Sequence, residues 1–173
     1  MNTKLLTMSL VALLALSPLG TARADSQTEV DHKNLMQSHS QTLSTGQSLA
    51  ATAKSLRDQK NALILQLNTL LPAGTNKAWD ALFKVYNQAA LNTLSGNYTQ
   101  NSSNQAAYLQ QLKTLTPSVV NSVAVQNQVA AILNQLQTLK AQEDALATSL
   151  ANYQTTLQNL NSQEISNNGK RGK

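Results

Sequence analysis

Residues 129–160 read VAAILNQLQTLKAQEDALATSLANYQTTLQNL. Within them Val129, Ile132, Leu136, Leu139, Glu143, Leu146, Leu150, Tyr153, Leu157 and Leu160 follow one another at alternating steps of three and four residues. Such steps return to one side of an α-helix, because about 3.6 residues complete a turn. Every position in the series except Glu143 is apolar, so the pattern predicts a long helix, over about 118–164, with an unbroken hydrophobic edge. Thr116-Pro117-Ser118 supplies a helix-start signal in front of it, with Thr116 or Ser118 as the capping residue. A stripe of this length cannot bury itself; it needs a second helix.

Working outward, the partner is found upstream. From about 28 to 71 the chain has no Pro and a single glycine, Gly46. Leu49, Leu56, Leu63 and Leu70 recur every seven residues, with Ala53 and Leu67 between them. A seven-residue repeat keeps one seam turned toward a neighbouring helix. Leu71-Pro72-Ala73-Gly74 stops this helix, since Pro72 disfavours the α conformation at Leu71. Beside the downstream seam lie Gln128, Gln135, Gln142, Ser149 and Thr156, which lack the charge code of a parallel zipper. The two helices are therefore expected to fold back on each other, with homo-oligomerisation left open. The fold class read from these features is all-α: an elongated antiparallel helical hairpin or bundle of two long helices with a small helical lobe inserted between them.

That lobe covers about 72–117 and holds five of the six aromatics: Trp79, Phe83, Tyr86, Tyr98 and Tyr108. Thr75 is the expected cap of a helix whose Trp79, Leu82, Phe83, Tyr86 and Ala90 share one face, ended by Ser95-Gly96. A shorter helix is expected over 105–115. These aromatics read as the lobe's own core in preference to a binding platform. Between the two helices, residues 97–104 read as a polar loop. Its Asn97, Tyr98, Thr99, Gln100, Asn101 and Asn104 are the candidate recognition residues, because exposed loops carry binding side chains without compromising a core.

Composition agrees with helices and argues against sheet. Leu, Ala, Gln and Asn number 29, 22, 19 and 18 of the 173 residues, with 6 Gly and 3 Pro. So few turn formers and β-branched residues fit neither a sandwich nor a doubly wound sheet. No Cys is present, which excludes disulfides and thiolate chemistry. Residues 1–24 have the layout of a secretory signal peptide: Lys4, an apolar run from Leu5 to Leu16, a Ser17-Pro18-Leu19-Gly20 breaker and a small-x-small Ala22-Arg23-Ala24 site. About twelve apolar residues are too few for the roughly 30 Å hydrocarbon core, and no later stretch would span it. The mature chain, 25–173, is then one helical domain, periplasmic or exported to the cell surface. Lys170, Arg171 and Lys173 crowd into a tail, 165–173, expected to be disordered. Between Asp25 and Gly169 eight cations meet eight anions. That neutral body argues against nucleic acid, whose phosphates need clustered Lys and Arg.

Few residues suggest chemistry. His32 and His39 lie seven apart, about 10 Å along a helix, too far for one helix to hold one metal ion with both. They read as exposed or seam-packed side chains. Glu143 interrupts the seam: one reading is a polar switch or register pin, since a single buried polar residue can fix the alignment of a seam at a cost in stability, and the simpler one is a locally open stretch in which it reaches water or Lys140. On a partly buried carboxylate, Glu143→Leu would raise the thermal midpoint. Asn97-Tyr98-Thr99 and Asn101-Ser102-Ser103 match the glycosylation acceptor pattern by loop composition. No nucleophile–base arrangement, paired catalytic carboxylates or phosphate loop is found, so neither an enzyme nor a cofactor or metal is expected.

The segments Trp79-Asp80-Ala81-Leu82, Leu91-Asn92-Thr93-Leu94-Ser95-Gly96-Asn97-Tyr98, and Val125-Gln126-Asn127-Gln128 leading to Leu133-Asn134-Gln135-Leu136-Gln137 follow in that order behind an export signal and a long polar helix. Together they resemble the pilus-tip (minor pilin) family of type IV secretion and conjugative transfer systems. The resemblance implies a helical bundle with a side lobe at the pilus end, serving pilus biogenesis and cell contact. Its partners would be other pilus or secretion-channel proteins and a recipient or host cell surface. The alternative is a periplasmic holdase chaperone, or another periplasmic coiled-coil binding protein. Arm-type holdases also need a strand-built body and cationic arms, and the sequence supplies neither.

Overall fold

The structure, a computed structural model, describes residues 26–91 and 98–171. Within them the chain forms four α-helices and no strand: α1 Ser26–Leu70, α2 Lys77–Leu91, α3 Tyr98–Val119 and α4 Val123–Arg171. The all-α expectation holds at that level. The signal segment 1–24, the Ser95-Gly96 stop and Asn97 lie outside the described residues.

The junctions show why the helices stop where they do. Leu71 N–H still bonds the Leu67 carbonyl at 2.8 Å, and Pro72 then ends α1 as expected. Gly74 takes φ of 93°, a left-handed conformation open to glycine at little cost. Thr75 is not the cap of α2. Its hydroxyl donates back to the Pro72 carbonyl at 2.6 Å, while Asn76 Oδ1 accepts the Ala78 and Trp79 N–H groups at 2.9 and 3.2 Å. Asp80, in the first turn, accepts the Gly74 N–H at 2.9 Å and so ties the turn to the helix it precedes.

The second junction also moves. α3 runs through Pro117 to Val119, and α4 starts at Val123, not at Ser118. Pro117 lacks the N–H that would bond the Lys113 carbonyl, one bond lost in the closing turn, while the Val120 N–H still reaches the Thr116 carbonyl at 3.0 Å and the buried Thr116 hydroxyl donates to the Leu112 carbonyl at 2.7 Å. Ser122 is the cap of α4: its carbonyl accepts the Gln126 N–H at 2.9 Å, and the Gln126 side chain donates to the Val120 carbonyl at 2.6 Å. At its far end α4 continues to Arg171, so residues 165–171, expected as disordered tail, are helical. Gln163, Ser166 and Asn167 line a groove with Asp31, Asn34, Leu35 and Ser38 of α1.

The chain divides into two compact units. Residues 52–147 form the first, with α2 packed on α3 and segments of α1 and α4 completing a four-helix arrangement. Its interior is built from Leu56, Leu63 and Leu67 of α1, Trp79, Phe83 and Tyr86 of α2, Leu109 and Leu112 of α3, and Val129, Ile132, Leu133, Leu136 and Leu139 of α4. The rings of Trp79, Phe83 and Tyr86 stack in series, with centroids 6.0 and 6.2 Å apart. They are core, as their shared face predicts. Residues 26–51 and 148–171 form the second unit, from α1 and α4 alone, around Thr42, Tyr153, Leu157 and Leu160. In both units the α1 and α4 segments run in opposite directions. In the first, Lys60 meets Glu143 and the groove beside them runs forward to Leu63 on α1 and back to Gln135 on α4; in the second, His39 meets Glu164 and Gly46 lies against Tyr153.

Candidate functional site

The seam expected from the leucine spacing is inside. Leu56, Leu63, Val129, Ile132, Leu136, Leu139, Leu146, Tyr153, Leu157 and Leu160 are buried; Leu49, Leu70 and Leu150 are half-buried. Two members of the stripes are charged. On α1 the three-four series runs 49, 53, 56, 60, 63, 67, which places Lys60 among leucines, just as Glu143 sits on α4.

Those two charges meet. Lys60 Nζ lies 2.5 Å from Glu143 Oε1, with 3% and 5% of the two side chains exposed. The same ammonium donates to Gln105 Oε1 at 3.2 Å and to the Ala90 carbonyl at 3.4 Å. One lysine of α1 thus bonds α2, α3 and α4 at a single point, and its donors are used there. Glu143 is therefore not the solvent-reaching carboxylate of the sequence reading. Lys140, its expected partner, instead bonds Asp144 Oδ2 at 2.6 Å. Burial holds the Lys60 amine below the ordinary lysine range, and the Glu143 carboxylate opposes that shift without cancelling it. The Tyr86 hydroxyl, buried in the same unit, is pushed well above the usual phenol range by burial and then by the Glu143 charge. In so dry a place each charge depends on the other, and removal of one strands its partner.

The polar loop expected over 97–104 is corrected. Tyr98 to Asn104 form the first turns of α3. Ser102 is buried and donates to Asp144 Oδ1 at 2.7 Å; Gln105 is wholly buried and accepts from Lys60. Ser102, Gln105, Leu109, Leu112 and Thr116 form the same three-four series seen in the long helices, and all five are buried. The series escaped notice because three of its members are polar. Of the candidate recognition residues, Gln100 is exposed and its amide donates to Asn104 Oδ1 at 3.0 Å, while Asn101 and Asn104 are half-buried. The backbones of Tyr98 and Thr99 are helical, and Asn97 lies outside the described residues. Asn101 of the second acceptor triplet stands in a helix, half-buried beside the buried Ser102.

His39 is half-buried in the α1 stripe of the second unit, its Nε2 3.2 Å from Glu164 Oε1. That is the seam-packed reading. Among the described residues no group of three or more His, Asp or Glu side chains is placed to hold a metal ion. Gly46 occupies the same stripe. A Cβ built there would lie 2.4 Å from the Tyr153 hydroxyl oxygen and 2.8 Å from its ring carbon Cζ, so the close approach of α1 and α4 needs a residue without a side chain. No helix among the described residues is long and apolar enough to cross a membrane. Compared with protein-family models, curated proteins and solved structures, the chain matches none.

Proposed function

We propose that the protein is an exported, non-enzymatic structural and interaction protein, similar to the minor pilin at the tip of a type IV secretion or conjugative pilus. In this reading α1 and α4 pair along their length as an antiparallel hairpin, with α2 and α3 as the inserted lobe. The molecule acts by presenting helix faces to other pilus or channel proteins and to a recipient or host cell. The observation that carries the reading is how the chain uses its side chains. Leucines, aromatics and a buried ion pair are committed to helix–helix packing, and the surface between them is glutamine, asparagine, serine and threonine, residues suited to contact more than to chemistry. The opposite running of α1 and α4 within each unit supports the hairpin.

The contact surface in this reading is helical. On α3 the exposed positions include Gln100, Ser103, Gln110 and Gln111, and Gln-rich faces of this kind dock by hydrogen bonds spread over a helix. Deletion of the gene in its native host is expected to reduce pilus formation and mating; normal piliation and transfer would remove the proposal. A holdase role is separated from it by a direct assay. The purified protein is expected to leave the aggregation of an unfolded porin unchanged, and suppression at equimolar ratio would favour the chaperone.

A further inference from the structure

A leucine repeat specifies that two helices meet but not where. Leu49, Leu56, Leu63 and Leu70 are equivalent under a shift of seven residues, and so are Leu136, Glu143 and Leu150 apart from the charge. Sliding α1 by one heptad along α4 moves it about 10 Å and again sets apolar side chains against apolar side chains. Two positions break the equivalence. A one-heptad slip places Lys60 opposite Leu136 or Leu150, and Glu143 opposite Ala53 or Leu67. Either arrangement leaves an ammonium and a carboxylate unpaired inside a leucine interface, at a cost far above that of any lost leucine contact. In the observed register the two meet at 2.5 Å, and the same ammonium reaches Ala90 of α2 and Gln105 of α3.

We propose that the Lys60–Glu143 pair is the register lock of the four-helix unit: it selects one alignment of α1 on α4 and one seating of α2 and α3 against them. Its contribution is to specificity more than to stability. A single buried polar or ionic group that sets the alignment of an apolar seam, at a cost in stability, is physically well founded. The inference concerns residues 52–147 alone and stands whether or not the protein serves a pilus.

The absence of cysteine makes the test direct. Cysteines placed at the exposed Gln59 and Gln142, which line one groove between α1 and α4, carry spin labels whose separation reports the register. The background is varied through Lys60→Met, Glu143→Leu and the pair together. Each single substitution strands a charge and is expected to lower the thermal midpoint by roughly 10 °C or more, which for Glu143→Leu reverses the rise expected before its pairing with Lys60 is known. The double variant is expected to regain the original midpoint or exceed it, yet to show a second, distinct label distance beside the native one, because a one-heptad slip shifts the labels about 10 Å along the helix axis and changes their separation by less than that. A double variant that keeps the single native distance would overturn the lock, since the register would then be set elsewhere. A double variant that fails to fold would also overturn it, because the pair would then be needed for stability itself.

Discussion

The two compact units are built from the same two long helices and differ in what else is present. In residues 52–147, α4 buries adjacent residues, Ile132 and Leu133 together, because α1 covers one side and α3 another. In residues 26–51 and 148–171 only α1 and α4 are present, and burial thins to the stripe: Tyr153, Leu157 and Leu160 are inside, while Val30, Met36, Leu43 and Ile165 are 42% exposed or more. Two helices can hide one edge each; a second pair of helices lets each hide nearly half its circumference. This extra cover also explains why the charged pair is found in the four-helix unit. Only there is the interior deep enough for a charge to need a partner. In the two-helix unit His39 and Glu164 meet with 11% and 31% of their side chains exposed.

The contrast is broken most directly by cavities. Leu136→Ala, at a site with no exposure in the first unit, is expected to cost about 2–5 kcal/mol, and Leu157→Ala in the second unit markedly less, because water can fill the gap. Chemical denaturation gives both values. Amide exchange should likewise be slowest in the four-helix unit, and equal protection in both units would erase the distinction drawn here. Gly46→Ala is next. Its methyl group meets the Tyr153 ring, so a loss of about 1–3 kcal/mol is expected. Tyr153→Phe should restore part of it, since the nearest clashing atom is the hydroxyl oxygen; no rescue would place the strain in the α1 backbone. Asn76→Ala should cost about 1 kcal/mol through the lost α2 cap, whereas Thr75→Ala should cost less, a direct reversal of the expectation from sequence.

The smallest effect at neutral pH belongs to Tyr86→Phe, which removes a buried hydroxyl without a hydrogen-bond partner and should change stability by under about 1 kcal/mol. Its signature lies in alkali. Folding raises the Tyr86 phenol above its ordinary value of 10.0, so the native state keeps a proton that the unfolded chain loses. The stabilisation is complete below pH 10.0 and declines as the pH climbs beyond it. Lys60 acts oppositely. Its lowered value means that the folded state sheds a proton which the unfolded chain retains up to 10.5, so its contribution rises with pH in that window. The difference between wild type and Tyr86→Phe cancels the lysine. Parallel stability curves for the two proteins above pH 10 would contradict the buried phenol.

Much of the fold was legible because its signal is local. Val129 to Leu160 announce a helix and its inner edge from spacing alone, and Trp79, Phe83 and Tyr86 announce a shared face. Two departures share a cause: a polar side chain need not be a surface side chain. Ser102, among the polar residues of 98–104, makes the first turns of α3 look like a loop, and Lys60 hides in a stripe of leucines. The three-four step runs on through the polar positions, and each long stripe carries one buried charge, of opposite sign. Pro117 is a different case: a proline suits the first turn of a helix, but in the closing turn it removes a single N–H bond, and α3 runs through it to Val119.

By itself the amino-acid order determined that the chain is helical, which edges are apolar and where α1 gives way to a turn, because 3.6-residue periodicity and the missing N–H of Pro72 act over a few neighbouring residues. Only the tertiary structure decided which polar side chains go inside and with whom. Whether Lys60 is a solvated amine or the hub of four helices depends on Glu143, Gln105 and Ala90 arriving from three other helices, and burying a charge is favourable only after its partner is in place.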